Sequence, residues 1–315
     1  MITVCDANAF LVQHAFGGAD DSLMPPTRNT LDRHIIRYVA ERRRRGELNA
    51  STARDVSYHL LQFSAAHGAR PLDKLTTRAV DRWLARHRSW KPSTTRTRWS
   101  TVHRFCLWLV EHHHIERDPF AGLKPPKVPR PVVRTIPPDD VRALYAAAGD
   151  ARGRLIVALM HELGARAVEV HRLNVEDIDW HARTVRLVGK GGHERLEPLT
   201  DRLAAMVETY LFEHPASSGA LVRSYRDGAR ISNRTITDWL RHWLYEAGVK
   251  RTGYDRVSGH ALRRTAATEV YAATRDIVVV KDLLGHADFS SLRSYVQGAG
   301  VERTREALRA REATR

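Results

Sequence analysis

The chain has 315 residues, 43% of them hydrophobic, with a formal net charge of +15 and a pI near 10.4. That length favours two domains over one, and the absence of a run of about 18 apolar residues or of a basic-then-apolar N-terminus argues against a membrane span and a secretory leader, so a cytoplasmic location is expected. Cys5 and Cys106 are too few and too ill-spaced for a disulfide framework or a thiolate metal site.

Residues 1–27 hold three Asp and neither Lys nor Arg. With Gly17-Gly18 and Met24-Pro25-Pro26 they read as an acidic arm, either flexible or partner-binding. Residues 28–137 hold 23 Lys and Arg against nine Asp and Glu, a net +14, while 138–315 carry only +4. Positive charge concentrated in one stretch suits a nucleic-acid backbone, because each neutralised phosphate releases counterions. The stretch lacks a lipid-binding helix with a Trp/Phe/Leu face, so a membrane partner is not expected.

From Thr30 the spacing is helical. Leu31, Ile35 and Val39 recur at four-residue steps before Gly46. A second helix is expected from Ser51 to Gly68 with Val56, Leu60 and Phe63 on one face, and a third after Thr77 with Val80, Trp83 and Leu84. A fourth follows Pro92-Ser93 with a stripe of Trp99, Val102, Phe105, Cys106 and Leu109. Residues 28–123 thus read as a small helical DNA-binding bundle with an aromatic core. Arg42, Arg43, Arg44 and Arg45 end its first helix, and Arg96, Arg98 and Arg104 lie on the polar side of its fourth. These arginines are either a solvated face or backbone contacts, and the local charge excess favours contacts. His112-His113-His114 is read as helix-end surface, since adjacent helical positions cannot converge on one ion. No metal site is expected.

Residues 124–138 contain six prolines in fifteen positions, an extended basic linker. A mainly helical domain is expected over 139–300, with helices near 139–148, 152–163, 201–213, 235–247, 261–273 and 276–284. One small β-element interrupts them: Thr184–Val188 and Arg195–Leu199 flank Gly189-Lys190-Gly191-Gly192-His193, a strong hairpin signal.

Near the C-terminus stand Gly259-His260-Ala261-Leu262-Arg263-Arg264-Thr265, then Leu284-Gly285-His286, then Tyr295. His260 and Arg263, three apart, share a helix face, while Leu262, Ala266 and Val270 line another that can pack inward. Asp276 is a candidate cap for a helix that stops at Gly285, leaving His286 at a tight bend.

This H-x-L-R-R-T pattern, followed by L-G-H and a tyrosine nine residues after that His, resembles the C-terminal signature of the tyrosine recombinase (phage integrase) family. Two further parts of the family pattern fit: Gly164-Ala165-Arg166-Ala167-Val168-Glu169 matches G-x-R-x-x-E, and Lys190 occupies the hairpin-loop position of the catalytic lysine. The resemblance spans about 130 residues of the second domain. It implies a mainly α fold with a small β-sheet, a core-binding bundle joined to an α+β catalytic domain. It departs from the family after His286, where Ser290-Ser291-Leu292-Arg293-Ser294 replace the usual paired hydroxyl residues, a change that affects capping of the tyrosine helix more than chemistry.

The resemblance implies that Tyr295 attacks a DNA phosphate, giving a 3′-phosphotyrosyl enzyme and a free 5′-hydroxyl. Arg166 and Arg263 suit the charge that builds on the non-bridging oxygens. His260 is the candidate base, His286 a phosphate hydrogen-bond donor and Lys190 the general acid. Glu169 is read as an orienting group and Arg264 as a DNA or solvent contact. Because bond energy stays in the covalent link, no cofactor is expected. The partners implied are double-stranded DNA at specific sites, a homotetramer on that DNA and, where the system uses one, an accessory DNA-bending protein. The tail 301–315, with five Arg and three Glu, suits either a helix docking on a neighbouring protomer or a solvated end. An arm-site domain ahead of the bundle is not expected. The leading expectation is an integrase that integrates or excises a mobile element. The alternatives are a chromosome-dimer-type recombinase, a type IB topoisomerase-like relaxing enzyme, and a non-catalytic DNA-binding protein on the same fold.

Overall fold

The computed structural model describes residues 30–129, 135–189, 192–251, 257–285, 309 and 311–312. The acidic arm, Cys5, Lys190, His286, Tyr295 and, but for three positions, the tail therefore lie outside the described residues. The chain divides into two compact units between residues 130 and 131, within the proline-rich segment.

In the first unit, α1 (Thr30–Arg44), α2 (Ala50–His67), α3 (Thr77–Arg86) and α4 (Pro92–Glu111) form the bundle. The start of α2 is set by Asn49, whose side chain accepts the Thr52 N–H at 2.9 Å, and α4 opens on Pro92, where a missing N–H costs nothing. The apolar stripes interlock: Leu31, Ile35, Leu60, Phe63, Val80, Trp83, Val102, Phe105 and Leu109 are all buried. Phe63 meets Trp83 edge-on at 5.0 Å, and Tyr38 meets Phe105 at 5.4 Å, so the aromatic residues build the core as their spacing indicates. The Cys106 thiol is fully buried there, and burial pushes it well up, which makes it a small apolar side chain.

The histidine triplet departs from the expected plain surface. The His114 ring lies 4.2 Å from that of His34 on α1, and His112 tilts over Trp108 at 4.4 Å. Trp108 in turn donates to Glu41 on α1 at 2.9 Å. His113 takes φ +56°, which ends the helix and turns its neighbours back onto the bundle. A helical-wheel reading fails at this point because the chain is no longer helical.

The second unit comprises α5 (Pro138–Ala147), α6 (Ala151–Glu162), α7 (Ala167–Arg172), β1 (Ile178–Asp179), β2 (Thr184–Val188), β3 (Glu194–Pro198), α8 (Asp201–Glu213), α9 (Asn233–Glu246), α10 (Gly259–Thr274) and α11 (Ile277–Leu284). All residues of α6 from Leu155 to Met160 are buried, so this helix is the hub on which the others pack. The sheet is antiparallel in the order β1-β2-β3, with Arg186 opposite Leu196. Two elements escaped the sequence reading: β1, two residues long, and α7, six. Both are too short for periodicity to register. Among the described residues, no helix is long and apolar enough to cross a membrane, and no His/Cys/Asp/Glu cluster could hold a metal ion.

Candidate active site

The site grows from the end of α6. Gly164 adopts φ +56°, and the Ala165 N–H reaches back to the Leu159 carbonyl at 3.2 Å, closing the helix and reversing the chain. A Cβ at Gly164 would stand 3.3 Å from Leu284 and 3.7 Å from the stem of Arg263, so glycine is required both by conformation and by this close approach. The reversal delivers Arg166 to the N-cap position of α7. There Glu169, the third helical residue, accepts the Arg166 backbone N–H at 2.9 Å and its guanidinium at 2.7 Å.

Glu169 is the organising group. Its side chain is 0% exposed, and besides Arg166 it accepts a bond from Arg195 of β3 at 3.0 Å and lies 4.0 Å from Arg263 of α10. Burial pushes its carboxyl up, but hydrogen bonds and charge from Arg195, then Arg166, outweigh this and hold it below its ordinary value. It is an ionised carboxylate ringed by arginines from three separate elements.

Arg263 is 3% exposed, and its guanidinium donates to the carbonyls of Gly164 and Leu284. This modifies the expected layout of α10. Its Arg263 face is enclosed rather than presented to solvent, because α6 and α11 close over it, whereas His260 one turn earlier is exposed. Partial desolvation lowers the His260 pKa first, with the cations Arg166, Arg264 and Arg263 lowering it further, so its imidazole stays neutral below the usual histidine range.

Two of the expected residues outside the described set are approached by their neighbours in sequence. Gly189, which precedes Lys190, is buried, and a Cβ on it would stand 3.4 Å from a Glu169 oxygen. Gly285, which precedes His286, ends α11 at φ +55° after Asp276 has capped its start by accepting the Val278 N–H at 2.7 Å. The structure thus brings Arg166, His260 and Arg263 together. Arg195 and Glu197, which the sequence places on the hairpin but does not mark as site residues, join them.

Glu197 carries a pH signature. It is 5% exposed on β3, and burial pushes its carboxyl up to about 7 despite the opposing pull of Arg195. Between its ordinary value and about 7 the folded state holds a proton that the unfolded chain has released, so this residue lowers stability as pH rises through that window. Glu197→Gln is therefore expected to be more stable than the parent by about 2 kcal/mol at pH 8 and nearly equal to it at pH 5, read by urea unfolding. An identical difference at both values would mean that Glu197 does not titrate between them.

In the first unit the arginines expected to contact DNA are mostly engaged. Arg42 pairs with Glu47 at 2.6 Å and Arg45 with Glu41 at 2.7 Å. Arg98 lies over the Trp90 ring at 4.1 Å and donates to Gln62, and Arg96 donates to the Pro126 carbonyl at 3.3 Å. Arg43 is half-buried, and Arg44 and Arg104 are exposed.

Residues 134–300 match the phage integrase family. The tyrosine recombinase XerC of Neisseria meningitidis serogroup C is 32% identical over 205 residues, 63% of this chain and 66% of that protein. XerC of Chromobacterium violaceum is 33% identical over 205 residues, 63% of this chain and 67% of the relative. The chain thus spans just under two thirds of the first relative's length. Among solved structures, a lambda integrase dimer bound to a COC′ core site superposes with a TM-score of 0.71 at 18% identity, covering 83% of this chain and 96% of that one. XerH bound to a palindromic difH substrate after cleavage gives 0.68 at 15%, covering 96% and 94%. At such identities the structural likeness establishes the fold.

Proposed function

The chain belongs to the phage integrase family of tyrosine recombinases, and on that premise we propose that it breaks and rejoins DNA at specific sites through a 3′-phosphotyrosyl link at Tyr295. The observation that carries this reading is the convergence of Arg166 and Arg263 on the buried Glu169, with His260 one turn before Arg263 on α10 and the backbone leading to Lys190 and to His286 beside them.

The chemistry follows from the groups. The Tyr295 hydroxyl attacks phosphorus, a P–O bond forms, and the bond to the 5′ oxygen breaks. His260, whose charged form is disfavoured by partial desolvation and neighbouring cations, accepts the phenol proton. Lys190 supplies a proton to the departing 5′ oxygen. Arg166 and Arg263, with His286, stabilise the charge on the non-bridging oxygens, and the bonds from Arg263 to two carbonyls fix its fork before substrate arrives. In the second half the 5′-hydroxyl of another strand reverses each step. DNA is gripped in addition by the basic first unit, with Arg42 to Arg45, Arg96, Arg98 and Arg104 contributing charge, and a homotetramer carries out strand exchange.

Within this activity, integration or excision of a mobile element is the first reading. Chromosome-dimer resolution is the second, favoured by similarity to proteins named XerC. The test is to incubate the full chain with supercoiled plasmids carrying the genomic DNA on either side of its gene, denature, and map any DNA-linked peptide. A 3′-linked adduct at Tyr295 is expected. No adduct, or one on another residue, would overturn the assignment.

A further inference from the structure

We propose that Arg195, a residue outside the family's catalytic pattern, is a positioning residue that bolts together three separate parts of the active site, a role that rests on the recombinase reading above. The alternation on β3 is inverted: Leu196 is 68% exposed, whereas Arg195 and Glu197 face inward. A strand that puts its apolar residue into water and its charged ones into the protein loses burial energy, and here the return is a fixed guanidinium.

The geometry of that guanidinium is two-pronged. Its Nε donates to Glu197 at 2.8 Å on the same strand, and its Nη2 donates to Glu169 at 3.0 Å on α7. Its stem fills the space against the end of α11, where a Cβ on Gly285 would come within 2.9 Å of the Arg195 Cδ. With 11% of its side chain exposed, it is enclosed by these contacts. Arg195 therefore fixes Glu169, which orients Arg166, and it backs the turn that leads into His286. Because β3 pairs with β2, the strand that runs toward Lys190, the same side chain sets this strand pair against α7. A lysine cannot replace it, since the single nitrogen of an ammonium does not occupy the separate Nε and Nη2 positions from which the two carboxylates are met.

The roles of positioning and of bulk stability separate in a double variant. Arg195→Met alone leaves the buried Glu197 without its cation and Glu169 with one fewer, and is expected to lose stability, so a slow reaction from it would be ambiguous. Replacing both members, Arg195→Met with Glu197→Met, removes the carboxylate left unpaired and fills the space with apolar side chains, while Glu169 keeps Arg166 and Arg263. On the same plasmid substrate this double variant is expected to unfold within a few degrees of the parent and to retain DNA on a filter with a midpoint within about threefold, yet to form the Tyr295 adduct at least about 30-fold more slowly in a single turnover. Arg195→Lys should show the same split between binding and cleavage. A double variant that folds normally and forms adduct within threefold of the parent would remove the role of Arg195 and leave the recombinase reading intact. If the parent itself forms no Tyr295 adduct, the recombinase reading fails and this role falls with it.

Discussion

Truncating Arg263 to alanine is expected to slow covalent adduct formation by about 10²- to 10³-fold and, unlike truncation of Arg166, to remove about 3 kcal/mol of stability as well. The rate loss follows from withdrawing one of two fixed cations from the phosphate. The stability loss has a different origin. The guanidinium is 3% exposed and donates to the Gly164 and Leu284 carbonyls, which close α6 and α11 respectively. Alanine leaves both acceptors buried without those bonds, and it leaves Glu169 one cation short. Arg166 provides the control, because a third of its side chain is exposed and its main partner is Glu169 on its own helix. Arg166→Ala should lose a similar factor in rate with a much smaller shift in urea midpoint. Arg263→Lys keeps the charge but cannot span two carbonyls, so part of the stability and little of the rate should return. An Arg263→Ala variant with the parent's midpoint and rate would refute both halves of the argument.

The parts of this protein that sequence reveals are those set by local periodicity. The bundle core was legible because Trp99, Val102, Phe105, Cys106 and Leu109 repeat at helical spacing, and the hairpin because a glycine-rich loop separates two short β-prone runs. His260 and Arg263 were legible for the same reason, being one turn apart. Tertiary pairings were not. The ties of Arg42 to Glu47 and Arg98 to Trp90 make those arginines less free than a charge count suggests, and no spacing rule announces a partner that lies 36 residues away, as Gln62 does from Arg98. Arg195 and Glu197 lie between these cases. A strand reading Arg-Leu-Glu implies either a polar inner face or an outward leucine, and taking the exposed Leu196 seriously points to the inner charges.

The strongest remaining expectation concerns Glu169, which never touches substrate in the proposed reaction. Glu169→Gln keeps the shape of the side chain but replaces one accepting oxygen by a donor that must face an arginine N–H, and it leaves Arg166, Arg195 and Arg263 without their shared counter-charge. A loss of about 3–5 kcal/mol at pH 7 is expected, together with a slower cleavage step as Arg166 loses its orientation. The sign of the pH dependence follows from the direction of the shift. Because the folded carboxyl is held below its ordinary 4.5, its contribution is fully present above that value and disappears as pH falls through the lower folded one. The gap between parent and variant should therefore be widest above pH 5 and close on acidification, measured by urea unfolding at a series of pH values. Glu169→Asp, one methylene shorter, cannot reach Arg195 and the Arg166 backbone together and should not rescue. A gap that stays constant down to the lowest pH at which the protein folds would show that Glu169 acts through its shape and hydrogen bonds alone, and the arginine ring would then need another source of cohesion.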